Sequence, residues 1–85
     1  MRIHHLINEI IEQKQNVPRK AANEIFKILD NNHTLFAERI ESDAFRMVLQ
    51  RFEDLCNSND YNSAHYKEEF EKSFGLLDFY LRKII

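Results

Sequence analysis

The sequence predicts an all-α fold, and three observations support that prediction. The chain has 85 residues with one glycine and one proline, so it has few of the turn residues that β-hairpins require. Hydrophobic residues make up 44% of it and aromatic residues 12%, which is enough for a core. Apolar residues recur three and four positions apart in four segments, the period of amphipathic helices. We expect one domain, residues 1–85, folded as a small antiparallel four-helix bundle with two shorter N-terminal and two longer C-terminal helices.

The first two helices are predicted on either side of a proline. Apolar residues at helical spacing indicate a first helix over residues 2–15, which Asn16-Val17-Pro18 ends because proline disfavours the helical conformation of the residue before it. Pro18 then suits the first turn of a second helix that runs to Asp30. Residues 30–34 form a break, in which an asparagine can take the left-handed C-terminal position and Thr34 can cap the next helix.

The third predicted helix runs from Leu35 to about Cys56, which is long for one helix. Ser42-Asp43 could instead restart it with a fresh cap, so a kink near Ser42 is the alternative. Phe45, Leu49 and Cys56 widen its apolar arc to roughly half the circumference. Such a helix has neighbours on two sides, or part of it faces a second chain.

The fourth predicted helix follows a polar loop at residues 57–62, begins at the N-cap Ser63 and runs to Ile85. Its main apolar stripe consists of Tyr66, Phe70, Phe74, Leu77, Tyr80, Leu81, Ile84 and Ile85. Leu76, Phe79 and the stem of Lys83 form an i, i+3, i+7 strip outside that stripe. Gly75 is costly inside a helix, by about 1 kcal/mol relative to alanine. We expect the helix to bend there, or another backbone to come close.

The composition of the chain constrains its cellular location and the classes of partner that it can bind. Twelve basic and fourteen acidic residues give a net charge of −2, without the positive excess typical of nucleic-acid-binding domains. The single Cys56 excludes an intramolecular disulfide and a CxxC pair. The N-terminal apolar residues are periodic, unlike a signal peptide, and no run approaches the roughly 18 apolar residues of a membrane span. A cytoplasmic location without a membrane partner is the expectation.

No constellation typical of an enzyme is present in the sequence. His4 and His5 project about 100° apart on a helix, His33 lies in a loop, and no third ligand completes a metal site with His65. Cys56 has no base beside it at helical spacing, and the lone glycine excludes a phosphate-binding loop. We therefore predict no catalytic, cofactor-binding or metal-binding residues.

Two other functional classes stay open as alternatives. In the run His65-Tyr66-Lys67-Glu68, His65 resembles the exposed histidine of histidine phosphotransfer domains, which are also four-helix bundles. Those domains place lysine one position later and follow it with glycine, so the run departs from their pattern. The second alternative is a dimeric helical regulator that binds nucleic acid through Arg39 and Arg46, one heptad apart, or through a second basic group on the second predicted helix. That group is Arg19, Lys20 and Lys27.

The leading prediction is a non-enzymatic protein that binds another protein, or a second copy of itself, through an apolar helix surface. The predicted partner-binding residues are Leu76, Phe79, Lys83, Phe45 and Leu49. By analogy with other small helical proteins, such a chain is an inhibitor, immunity protein, antitoxin or adaptor. Frequent Asn, Ile and Lys suit an AT-rich bacterial or phage genome.

Overall fold

The computed structural model describes residues 2–60 and 62–84, and every regular element in that part of the chain is helical. The α-helices are α1 (Arg2–Glu12), α2 (Pro18–Asn31), α3 (His33–Ala37), α4 (Ser42–Asn57) and α5 (Ala64–Ile84). A short 3₁₀ helix, Gln13–Gln15, extends α1. The all-α prediction is confirmed. The described residues form five α-helices rather than the four expected.

The boundary between α1 and α2 lies where the sequence predicted it. Asn16 and Val17 are extended, with ψ angles of 166° and 145°, and Pro18 is the first residue of α2. Proline needs no hydrogen bond at this position because the first backbone amides of a helix have no intrahelical acceptor. The amide of Ala21 donates to the carbonyl of Val17 at 2.9 Å and so closes the first turn of α2.

The prediction of one long third helix is wrong, and the restart at Ser42 is correct. Residues 38–41 separate α3 from α4, and Glu41 has non-helical backbone angles, with a φ of −51° and a ψ of 137°. Phe36 and Ile40 are both buried, and the Phe36 carbonyl accepts the amides of Arg39 and Ile40 at 3.0 and 2.9 Å. Both apolar side chains are thus buried before α4 begins at Ser42.

The break between α2 and α3 also differs from its prediction. Asn32 has a φ of −121°, and no described non-glycine residue has a positive φ, so the left-handed cap does not form. Asn32 caps α2 in another way, because its side-chain amide donates to the Ile28 carbonyl at 2.8 Å. Thr34 is not the N-cap of the next helix, since α3 already begins at His33.

Ser63 caps the start of α5, as the sequence predicted, and the helix itself begins at Ala64. The Ser63 hydroxyl oxygen accepts the backbone amide of Tyr66 at 3.0 Å, which satisfies one of the free amides of the first turn. The helix continues through Gly75, and a Cβ placed on Gly75 would meet no heavy atom of the described residues within 4 Å, apart from its sequence neighbours and the backbone of its own helix. The expected close approach of another backbone is therefore absent within the described chain.

The core forms one cluster to which all five α-helices contribute. α2 and α4 share the most extensive contact, and α5 packs on both of them. Ala21 and Ala22 are fully buried in α2, where small side chains allow α4 to come close, and Phe52 of α4 meets Phe70 of α5 edge to face at 6.4 Å. The radius of gyration of 12.1 Å matches the roughly 12 Å expected for a compact chain of this length. Of the predicted α5 stripe, Ile85 lies outside the described residues, and Tyr80 and Ile84 are half-buried.

Candidate partner-binding surface

The most exposed aromatic side chain in the described part of the chain is Phe79, on the last turns of α5. It is 54% exposed, and the neighbouring Tyr80 packs edge to face against its ring, with 5.3 Å between centroids. The Lys83 ammonium lies 4.4 Å from the centroid of the Phe79 ring and 5.9 Å from that of Tyr80. These are cation–π distances, so the ammonium is held over the ring by its negative face. Leu76 is half-buried against the core on the same helix.

Three of the five predicted partner-binding residues thus share one strip of α5. Leu76, Phe79 and Lys83 follow the spacing i, i+3, i+7 in an unbroken helix, so they lie on neighbouring turns. Phe79 and Lys83 are exposed and Leu76 is partly accessible. The strip combines an apolar ring with a cation at the end of a helix.

The two residues predicted on α4 do not form a comparable strip. Phe45 is only 2% exposed, stacks on Phe36 at 6.4 Å between ring centroids, and contacts the edge of the His33 ring at 5.0 Å. Phe45 is therefore a core residue, which corrects the expectation for it. Leu49 is half-buried and packs against the core. The wide apolar arc of this segment arises because α4 has neighbours on two sides, α2 and α5.

Sequence periodicity missed two features of the exposed surface. Met47 follows the apolar spacing of the third predicted helix, which indicates a core position, yet it is 43% exposed on α4. Gly75 lies on the exposed side of α5, beside Leu76 in sequence and one turn before Phe79. The presence of a glycine inside a predicted helix was the only sign in the sequence of this second feature.

Of the two basic groups proposed for nucleic acid, Arg19, Lys20 and Lys27 lie together on α2, but Arg39 and Arg46 do not share a helix. Arg39 lies in the turn before α4, where its guanidinium donates to the Leu35 carbonyl and pairs with Glu38, while Arg46 is on α4. On α2, Lys27 pairs with Glu24 at 3.9 Å. The heptad relation between Arg39 and Arg46 is lost because the helix that it assumed is broken.

A groove of about 490 Å³ runs between α4 and α5, and His65 is one of the residues that line it. His65 is exposed, and Arg51 contributes a positive charge to the same groove. Asp54 and Glu69 also line it, and their negative charges oppose an incoming phosphoryl group. Within residues 2–60 and 62–84, no three His, Cys, Asp or Glu side chains converge as ligands for a metal ion.

Cys56 and Tyr66 are neighbouring ionisable groups whose neutral forms are favoured in the fold. The Cys56 thiol lies 3.7 Å from the Ala22 carbonyl, and burial, with a smaller contribution from the charge of Glu53, raises its pKa above 9.0. The Tyr66 hydroxyl donates to the Leu55 carbonyl at 3.1 Å, and burial raises its pKa above 10.0. A thiol with a raised pKa is a poor nucleophile at neutral pH.

These two raised pKa values predict a loss of stability in alkaline solution. In the unfolded chain the groups ionise near pH 9 and pH 10, before they do so in the fold, so their stabilising contribution is complete below pH 9 and falls as the pH rises through this range. Urea unfolding at intervals from pH 7 to pH 11 should show a steeper fall for the natural chain than for a Cys56→Ala/Tyr66→Phe double variant. If the free energy of unfolding falls equally with pH in the two proteins, the raised pKa values of Cys56 and Tyr66 are not the cause.

No helix in the described part of the chain is both long and apolar enough to cross a membrane. Comparisons of the chain with protein-family models, with curated proteins and with solved structures find no match.

Proposed function

We propose that this chain is a non-enzymatic protein-binding factor, of the inhibitor, immunity, antitoxin or adaptor kind, that engages its partner through Leu76, Phe79 and Lys83. The observation that carries the proposal is the 54% exposure of Phe79 on a helix whose other large apolar side chains are buried or half-buried. Covering the rest of that ring would contribute on the order of 1 kcal/mol. Aromatic residues are enriched at protein interfaces, where they bury a large area with little loss of side-chain freedom.

The surroundings of Phe79 support a protein partner. Tyr80 and Lys83 hold the ring from two sides, so it is partly ordered before any partner arrives, which lowers the entropic cost of binding. The Asp78–Arg82 ion pair, at 2.8 Å, supplies the kind of polar neighbour that rims an interface. We also propose a cytoplasmic location, because the chain has a single thiol and no disulfide pair. We propose that the main helices are antiparallel, because the connections between them are short.

The proposal predicts that Phe79→Asp separates binding from folding. The variant should keep its helical circular dichroism and unfold within about 1 kcal/mol of the natural chain, because the ring is more than half exposed. Its capture of partner from an extract of the producing cells should fall at least about tenfold, since an aspartate cannot replace a buried aromatic anchor. Quantitative mass spectrometry of the material retained by immobilised protein measures this difference.

Met47→Asp is the matched control, because Met47 is similarly exposed but lies on α4. It should retain the partner that Phe79→Asp loses. If Phe79→Asp simply unfolds, Phe79 belongs to the core. If it captures every partner as well as the natural chain does, the α5 surface is not the binding site.

A further inference from the structure

One face of α5 carries residues whose order along the helix matches the same face of a second, antiparallel α5. Its members, here called the α5 strip, are Glu68, Lys72, Gly75, Leu76, Phe79 and Lys83. They recur at intervals of three and four residues, as in the seam of a helix pair, and cover about 24 Å of the helix. All are exposed except Leu76, which is half-buried.

The charges of the strip have opposite signs at its two ends. Glu68 lies near the start, Lys83 near the end, and the midpoint falls between Gly75 and Leu76. A second α5 laid antiparallel about that midpoint puts Glu68 opposite Lys83 of the second copy, and Lys83 opposite its Glu68. A parallel arrangement would instead oppose Glu68 to Glu68 and Lys83 to Lys83, which is repulsive.

The inner residues of the strip also match in the antiparallel arrangement. Lys72 falls opposite Phe79 of the second copy, so an ammonium again faces an aromatic ring, as Lys83 already does within the chain. Leu76 falls opposite Gly75 of the second copy. Because a Cβ on Gly75 would meet nothing within the described chain, the space above it is open to that leucine. This gives the glycine a use that the single chain lacks.

We propose that the chain self-associates through the α5 strip, with two α5 helices antiparallel about a two-fold axis between Gly75 and Leu76. The contact is isologous, since each residue pair occurs twice. The inference rests on the proposed function, and it identifies the partner in that function as a second copy of this chain. A contact made by one helix from each copy is small, so the association is weak and concentration-dependent.

Charge reversal tests the pairing on the full chain. Sedimentation equilibrium from about 10 µM to about 1 mM covers weak association. The natural chain should dimerise in this range, and Glu68→Lys or Lys83→Glu should each weaken the dimer about tenfold or more, because each puts like charges opposite each other twice. An equimolar mixture of the two single variants should dimerise again, and so should the double variant Glu68→Lys/Lys83→Glu. In a parallel pair, like charges would face each other in the natural chain and in each of these single and double variants, so the single reversals would not weaken it.

Two further variants make the result specific to the strip. Glu71→Lys, the same reversal on an exposed residue of α5 outside the strip, should leave association unchanged. Gly75→Gln should raise the melting temperature of the monomer, because glycine is a poor helix former, yet weaken the dimer by filling the space for Leu76. Circular dichroism of each variant checks that the fold is kept.

Two results would overturn self-association through this strip. One is a natural chain that stays monomeric up to about 1 mM, and the other is a dimer that the single reversals leave intact. The proposed function fails separately, when Phe79→Asp captures partners as well as the natural chain does. A monomeric natural chain whose capture of another protein depends on Phe79 would keep the function and exclude the second copy as the partner.

Discussion

Replacing Phe52 with alanine is expected to lower the free energy of unfolding by about 3–5 kcal/mol. Phe52 is fully buried on α4, the helix that contacts both α2 and α5, and its ring meets Phe70 edge to face. Alanine removes most of the buried side chain and leaves a cavity that the surrounding helices can fill only in part. A chain of this size has a stability on the order of 5–9 kcal/mol, so the loss is a large share of the total.

Phe79→Ala is the matched control for Phe52→Ala, since it is the same chemical change at an exposed position. It should alter the free energy of unfolding by no more than about 0.5–1 kcal/mol. Urea unfolding of the two variants and the natural chain, followed by circular dichroism, measures the difference. If the two variants lose similar free energies of unfolding, Phe79 is packed as deeply as Phe52 and does not belong to the partner-binding surface.

Replacing Phe36 with alanine is expected to cost a similar 3–5 kcal/mol, although Phe36 lies in a helix of only five residues. Phe36 is fully buried, is the only buried residue of α3, and stacks on Phe45. A five-residue helix has no stability of its own in water, so this side chain attaches α3 to the core. Its loss should release the turn that follows, in which the Phe36 carbonyl accepts the amides of Arg39 and Ile40.

Thr34→Ala serves as the control for Phe36, because Thr34 is exposed in the same helix. It should stay within about 0.5 kcal/mol of the natural chain. Urea unfolding gives the two free energies, and hydrogen exchange at the amides of Arg39 and Ile40 reports on the turn. If Phe36→Ala is no more destabilising than Thr34→Ala, or if those amides stay equally protected in both, α3 is held by other contacts.

The sequence predicted the helix boundaries that depend on local chemistry. Pro18 marks the start of α2 because its ring restricts the residue before it and suits the first turn of a helix. Ser63 marks the start of α5 because its hydroxyl accepts an amide that has no acceptor within the helix. The break at residues 38–41 was harder to place, since the apolar spacing continues through it and Ser42-Asp43 indicated only a possible restart. The candidate strip at Leu76, Phe79 and Lys83 could be located because these residues lie off the main stripe of their own helix.

The sequence by itself determined the all-α class, the starts of α2 and α5, and most of the buried stripe of α5, because helical period and capping act within a few residues of the chain. Only the tertiary structure decided that Phe45 is core while Met47 is exposed. Each of these residues is apolar and lies on a helix, so its burial depends on which helices are adjacent. The third predicted helix is divided at residues 38–41, where the chain buries both Phe36 and Ile40 before α4 packs against α2 and α5. The surroundings of Gly75 also depend on the tertiary structure, which shows that no other part of the described chain packs against this glycine.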